Sequence, residues 1–353
     1  MYSSPSALVS NPPVVVPVGA KKLPDLIGCV IGSIALDSSH KFVKVSDCEI
    51  NRDTPTGFTP INIHTSLSST IYSVAMTSKL VPSNPSAVMA IRDITPNITT
   101  LSVPFSRFGL FRIGGRGTIV RLSSGALSVF SPTALTPEVR AKLLEKGDNL
   151  KYIIAPDIEH HIFVSDWARA YPSAQVIGVE GLPEKRAAAA KDPKSSSHGE
   201  QVPFATVFTE KLKGQVRISE EFDRDFEYEY VPEHMNKELV FLYKPDRTLI
   251  VADYLFNLPA TEQYSRTGEP ANKGIMTKLF GTLTSTQGKA LGQKRYLWYG
   301  ASAANRKGFG ESAARIAGWD FERIIPCHGD VVEGSGKEVF RKVFGWHLEG
   351  LRK

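Results

Sequence analysis

The stretch KYIIAPDIEHHIFVSDW, Lys151 to Trp167, runs from an apolar segment into two adjacent histidines flanked by carboxylates. KYIIAP reads as a buried strand. VSDWARAYP, just beyond the histidines, reads as a short helix capped by Ser165 or Asp166, with Trp167 wedging it against a sheet. His160 and His161 then stand at a strand end. Neighbouring imidazoles in a folded core are costly unless a metal, a hydrogen-bond network or solvent satisfies their nitrogens. The chain has only 8 histidines in 353 residues, so a pair at one strand end asks for a specific partner.

The flanks alternate strands and helices. Upstream, ITTLSVPFSRF, RGTIVRLSSG and ALSVFSP are consecutive strands punctuated by IGGRG and SSG. IGGRG lacks the spacing of a phosphate loop and is followed by strands, so it reads as a hairpin turn. TPEVRAKLLEKG is a helix with Thr136 as N-cap, Pro137 at its first position and Gly147 closing it. Downstream, AQVIGVEG, FEYEYVPEH, ELVFLYKPD and TLIVADYLFN are strands, the last two joined by a KPDRT turn. Residues 260–320 are largely helical, FERIIPCHGDVVEGSG returns to a strand, and KEVFRKVFGWHLEGL is a terminal amphipathic helix. This order specifies an α/β (α+β) fold with helices covering sheet faces, in one domain over 89–353. Residues 1–88, rich in Ser, Thr and Pro, are expected to be a mostly disordered N-terminal extension. Its acidic residues depart from a mitochondrial presequence, and Met76 and Met89 offer alternative starts for the functional protein.

Composition narrows the function classes. Hydrophobic content of 42%, charged content of 22% and a net charge of +6 are those of a soluble globular protein with a sizeable core. The densest basic segment, EKRAAAAKDPK (Glu184 to Lys194), has no interleaved aromatics and reads as a solvated helix end and loop, so no nucleic-acid partner is expected. No apolar run is long enough to span a bilayer, and no membrane partner is expected. A small-molecule substrate is. Three cysteines without a CxxC fit a reducing compartment, the cytoplasm, with a mitochondrial location as the alternative.

Four predicted strand ends carry a histidine or aspartate: His160 and His161, His234 after YEYVPE, Asp253 after TLIVA, and His328 after RIIPC. Loops leaving the ends of several strands are how a rigid sheet assembles a site. Three imidazoles and a carboxylate suffice for a divalent transition metal. Blander roles exist for each residue. The histidine pair can cap carbonyls, Asp253 can start a turn, His328 can precede a glycine turn, and Asp157 and Glu159 can be exposed loop acids. Cys327 reads as a small buried residue rather than a nucleophile, and His347 as packing or surface.

The order of these elements resembles the metallo-β-lactamase superfamily, whose first site strand ends in HxHxDH and whose later ones end in a single His, in GD and in PxHG. VPEH at His234, LIVADYLF at Asp253 and IIPCHGDVV at His328 match the last three, over about residues 91–353. The HH…W pattern with PCHG looks more narrowly like an uncharacterised branch, a domain family of unknown function. The resemblance implies a four-layer αββα sandwich with a metal at one edge of its two sheets. It implies zinc, or iron or manganese, held by His160 or His161, Asp253 and His328, with His234 as fourth ligand or neighbour.

The first motif departs from the family. With His160 in its last position, Ala155, Asp157 and Glu159 fill the others; with His161 there, they are Pro156, Ile158 and His160. One ion is therefore expected rather than two; the alternative is a rebuilt two-metal site with Asp157 and Glu159 as replacement oxygen ligands. The implied activity is metal-dependent hydrolysis of an ester, lactone, thioester or related bond. Asp253 would hold the metal and orient the water, and Asp157 or Glu159 would act as general base. The alternative is a non-catalytic binding or scaffold module on a decayed hydrolase fold.

Overall fold

The computed structural model describes residues 81–191 and 201–351. Most of the extension expected over 1–88 lies outside the described residues. Within 81–88, the Asn84 side chain caps a helical turn, Pro85–Val88. Met89 is already buried.

The chain continues through β1 (Ala90–Asp93), β2 (Ile98–Val103), a small hairpin of β3 (Ser106–Arg107) and β4 (Phe111–Arg112), then β5 (Gly115–Arg121) and β6 (Leu127–Phe130). Helix α1 (Pro137–Glu145) leads to β7 (Leu150–Ile154), α2 (Val164–Ala170) to β8 (Gln175–Val179), and α3 (Leu182–Lys191) precedes β9 (Thr206–Phe208). After α4 (Glu220–Asp225) come β10 (Phe226–Val231), β11 (Glu238–Tyr243) and β12 (Thr248–Val251). Helices α5 (Ile275–Thr284), α6 (Leu291–Tyr296) and α7 (Arg306–Gly318) follow, then β13 (Arg323–Pro326), α8 (Gly336–Val343) and α9 (Gly345–Gly350).

One sheet has the order β1-β2-β5-β6-β7-β8-β9, the other β10-β11-β12-β13. The first is antiparallel through β6 and parallel from β6 to β9. The second ends in a parallel pair, β12 and β13. Alternation along the second sheet defines the layers, because successive side chains point to opposite faces. Phe226, Tyr230, Leu239, Phe241, Tyr243, Ile250 and Ile325 pack into one core with the first sheet. Val231, Val240, Leu242, Leu249 and Val251 pack instead with Phe309, Ile316, Phe340 and Phe344 of the C-terminal helices. Val139, Leu143, Val164, Trp167 and Leu182, from α1, α2 and α3, complete the other side of the first core. The layers run helix, sheet, sheet, helix, the αββα sandwich expected. Its centre is aromatic: Phe241 lies 4.9 Å from Phe130, and Phe222 stacks on Phe226 at 4.4 Å.

Several local readings are corrected. Helix α2 starts at Val164 after Phe163, without a side-chain cap; Ser165 instead accepts from Arg186 Nη2 at 2.5 Å. Arg186 belongs to the basic segment read as solvated, yet it is buried, and only part of that segment faces water. The terminal helix is two, broken at Phe344–Gly345, because glycine is a poor continuation point for a helix. Trp167 is fully buried and donates from Nε1 to the Thr133 carbonyl at 2.6 Å, which pins α2 to the sheet.

Candidate metal centre

The parallel pairing of β12 and β13 sets the first two groups side by side. Val251 pairs with Pro326, and two residues beyond each lie Asp253 and His328. His328 Nε2 is 3.2 Å from Asp253 Oδ1. The third group arrives from the other sheet, where the chain leaving β7 turns back and places His160 Nε2 3.1 Å from His328 Nε2. One ligand atom from each of His160, Asp253 and His328 lies within 4.8 Å of the others.

Each group is held from behind. Asp157, fully buried, accepts the N–H groups of Glu159 and His160, both at 2.8 Å, and lies 2.9 Å from His160 Nδ1. His328 Nδ1 is 2.6 Å from the Gly114 carbonyl, which can only accept. Both Nδ1 atoms therefore carry protons, and both Nε2 atoms face the centre. Asn236 Nδ2 donates to Asp253 Oδ2 at 2.5 Å, which leaves Oδ1 for the centre. Glu238, fully buried at the start of β11, accepts the N–H groups of Ala252 and Asp253 at 2.6 and 2.8 Å and so fixes the end of β12. Arg116, fully buried in β5, donates through Nη1 to the carbonyls of Pro326 and Gly329, both at 2.6 Å. These two bonds grip the chain on either side of His328.

Two imidazole lone pairs facing each other at 3.1 Å repel unless a metal ion or a proton lies between them. Zn–N bonds of about 2.0–2.1 Å at a tetrahedral angle separate two donor nitrogens by about 3.3 Å, close to the spacings found. The surrounding charge points the same way. Asp157, Asp253 and Glu238 are buried carboxylates whose partners are imidazoles, Asn236 and backbone N–H groups, with no lysine or arginine among the described residues. Burial opposes a charge on His160, but Asp157 and Asp253 outweigh it and hold the imidazolium well above its usual range. Burial would likewise raise Asp253, and His160 and His328 carry its carboxyl well below the usual range instead. Burial, with Asp157 and Asp253 nearby, pushes Glu238 well upward. The donor set fits a divalent transition metal.

The other sequence candidates lie elsewhere. His161 turns away from its neighbour, its Nδ1 3.2 Å from Arg186 Nη1. Glu159 is held by Arg107 at 3.0 Å and Lys185 at 2.7 Å rather than by the centre. Asp157 supports His160 and has no free edge toward a substrate. His234 is buried beside the centre. Its Nδ1 accepts from the Asn236 N–H at 3.3 Å, its ring lies against Tyr254 and Phe309, and its Nε2 has no hydrogen-bond partner. Cys327 donates to Ser131 Oγ at 3.0 Å, and burial pushes its thiol up to about 11, far from a nucleophile's range. His347 is buried and 2.9 Å from Ser302 Oγ.

Sequence reasoning missed Gly114, Arg116, Asn236 and Glu238. Two of these left a signal: Arg116 interrupts a strand of core residues, and Glu238 opens the continuously apolar LVFLY. IGGRG, read as a plain hairpin turn, supplies both the carbonyl on His328 and the arginine that grips its loop.

No curated protein matches the chain. Among solved structures it is similar to the DIM-1 metallo-β-lactamase exposed to ceftazidime, at 11% identity over 76% of this chain and 99% of that one, with a TM-score of 0.47. It is similar to the metallo-β-lactamase of Hirschia baltica, at 10% identity over 73% and 97%, TM-score 0.46. It is also similar to the metal-soaked Flv1 flavodiiron core of Synechocystis sp., at 12% identity over 73% and 60%, TM-score 0.47. The four layers, with the centre at one edge of both sheets, are those the resemblance to the metallo-β-lactamase superfamily implies, and residues 111–270 within them match a domain of unknown function, DUF4336.

Proposed function

We propose that this protein is a metal-dependent hydrolase with a single divalent transition ion held by His160, Asp253 and His328. The observation that carries this reading is the pair of Nε2 atoms 3.1 Å apart, each with its Nδ1 proton engaged behind it. Three protein ligands leave a position open, as in catalytic rather than structural zinc sites. Two histidines and one carboxylate also suit iron. One ion, not two, follows from the first motif: with His160 in its last position, Ala155 has no ligand atom, Asp157 is spent on His160, and Glu159 on Arg107 and Lys185.

A metal in this position supplies Lewis acidity that makes water nucleophilic near neutral pH. The chain's own residues do the rest. Asp157 and the Gly114 carbonyl orient the two imidazoles, and Asn236 orients Asp253 so that its Oδ1 faces the centre. Tyr296 keeps its proton, because burial and the carboxylates of Asp253 and Glu238 raise its pKa. Its only hydrogen-bond partner among the described residues is Met235 Sδ at 3.9 Å, a weak acceptor. It is thus a donor available to the developing oxyanion of an ester, lactone or thioester.

Purified full-length protein should carry about one equivalent of transition metal per chain. His328→Ala and Asp253→Ala should lose it while retaining the far-ultraviolet circular dichroism of the fold. Elemental analysis that finds no transition metal in native protein, and none taken up on dialysis against Zn²⁺, Mn²⁺ or Fe²⁺, rejects the proposal. That result favours a second reading, a binding or scaffold module in which a proton on His160 bridges the two imidazoles instead of an ion.

A further inference from the structure

From Ala271 to Gly310 the sequence holds seven lysines and arginines and no aspartate or glutamate. Lys273 pairs with Glu269 at 2.6 Å. Lys278, Lys289, Lys294, Arg295, Arg306 and Lys307 have no carboxylate partner among the described residues; Arg306 donates to the Trp298 carbonyl instead.

Helix α5, IMTKLFGTLT, lies in this region and is attached by one face. Buried Thr277 accepts from the Arg112 N–H and donates to the Leu110 carbonyl, each at 3.1 Å. Phe280 packs on Phe111 and Phe256. The remaining surface of α5 is open and carries a large aliphatic part beside the exposed Lys278 and Thr282, with Ile275 84% exposed, Met276 42% and Leu279 50%. Leu110, tied to α5 through Thr277, is 56% exposed, and Leu291, on the adjoining α6, is 43% exposed. Single exposed leucines need no explanation, but three exposed aliphatic side chains on one helix, in a segment whose cations lack carboxylate partners, do.

We propose that this face docks the protein peripherally on an anionic phospholipid bilayer, with α5 lying in the headgroup layer. Aliphatic side chains enter the acyl boundary and unpaired lysines and arginines meet lipid phosphates. A single-stranded nucleic acid would instead be held by stacking on aromatic side chains, and α5 has no exposed aromatic side chain. No described helix is long and apolar enough to cross a membrane; docking from one side needs no such helix. The proposal stands independently of the metal reading, although Phe256, which Phe280 touches, stacks on His328 at 5.1 Å, so docking brings the rim of the centre to the lipid.

The test is sedimentation of the full chain with vesicles of phosphatidylcholine alone and of phosphatidylcholine with phosphatidylglycerol. Binding should require phosphatidylglycerol and weaken with salt. A triple variant, Ile275→Ser, Met276→Ser and Leu279→Ser, should lose about tenfold in vesicle affinity at an unchanged melting temperature. Should that variant prove unstable, Lys278→Glu with Lys289→Glu, both on exposed side chains, provides the same test through charge. Absence of binding to phosphatidylglycerol vesicles overturns the proposal, as does binding that neither variant weakens. Equal binding to polyuridylate that only the charge variant weakens also overturns it, in favour of a general polyanion surface.

Discussion

At the scale of single residues, the centre depends on groups that never face it. Asp157 takes three hydrogen bonds, two from backbone and one from His160. A carboxylate behind a ligating imidazole fixes its tautomer and raises its basicity. Asp157→Asn keeps an acceptor but loses the charge, and should weaken metal affinity about 10–100-fold without abolishing it. His160→Ala should abolish it. Competition with a chromophoric chelator measures both; equal affinity of Asp157→Asn and the native chain would remove Asp157 from this role. Part of this was legible from composition: a sequence with few histidines and four at strand ends marks them out. Which of His160 and His161 turns inward was not legible, because adjacent residues in a loop have no fixed alternation. That choice was settled by Arg186, which reaches back from α3 to the His161 carbonyl and ring.

At the scale of elements, the strands were readable because runs such as LVFLY and TLIV are apolar, β-branched or aromatic. The Thr136-capped helix was readable because its cap chemistry is local; Thr136 accepts from the Val139 N–H. Sheet order was not readable, since it depends on pairings between distant strands such as β12 with β13. The loops at the centre show what that pairing demands. The backbone of Gly329 has a φ of +94°, and a Cβ there would lie 2.1 Å from the Asn257 carbonyl oxygen. Asn257 and its neighbours lace the two loops together, accepting from Asp330 N–H at 2.9 Å and donating to the His328 carbonyl at 3.1 Å. Gly329→Ala combines left-handed strain with a backbone collision and should cost more than about 3 kcal/mol. Gly125, with a φ of +86°, has nothing within 4 Å of the same position. Gly125→Ala should cost only about 1 kcal/mol of backbone strain. Urea unfolding of both variants separates the effects. Equal destabilisation would mean that the close approach of the two loops contributes nothing.

At the scale of the whole molecule, the αββα sandwich concentrates three buried carboxylates, the buried His234 and His328 and the half-buried His160 where its two sheets meet, and holds them with contacts from both. Arg116 and Gly114 reach from the first sheet to the loop after β13, while the Asn236 carbonyl accepts from the Ile158 N–H in the loop after β7. Unfolding would disperse every one of these groups, so an ion bound among them adds its binding free energy to folding. At a free metal concentration 100 times its Kd, the native state gains about 2.7 kcal/mol. For a folded unit of this size that raises the melting temperature by about 5–10 °C. Thermal unfolding of chelator-treated full-length protein, with and without Zn²⁺, Mn²⁺ or Fe²⁺, should show this shift for at least one ion. His328→Ala should show none, because its removal leaves two ligands on opposite sheets. A shift of the same size in His328→Ala would place the bound ion elsewhere on the chain. No shift in the native protein would leave the paired imidazoles holding a proton instead.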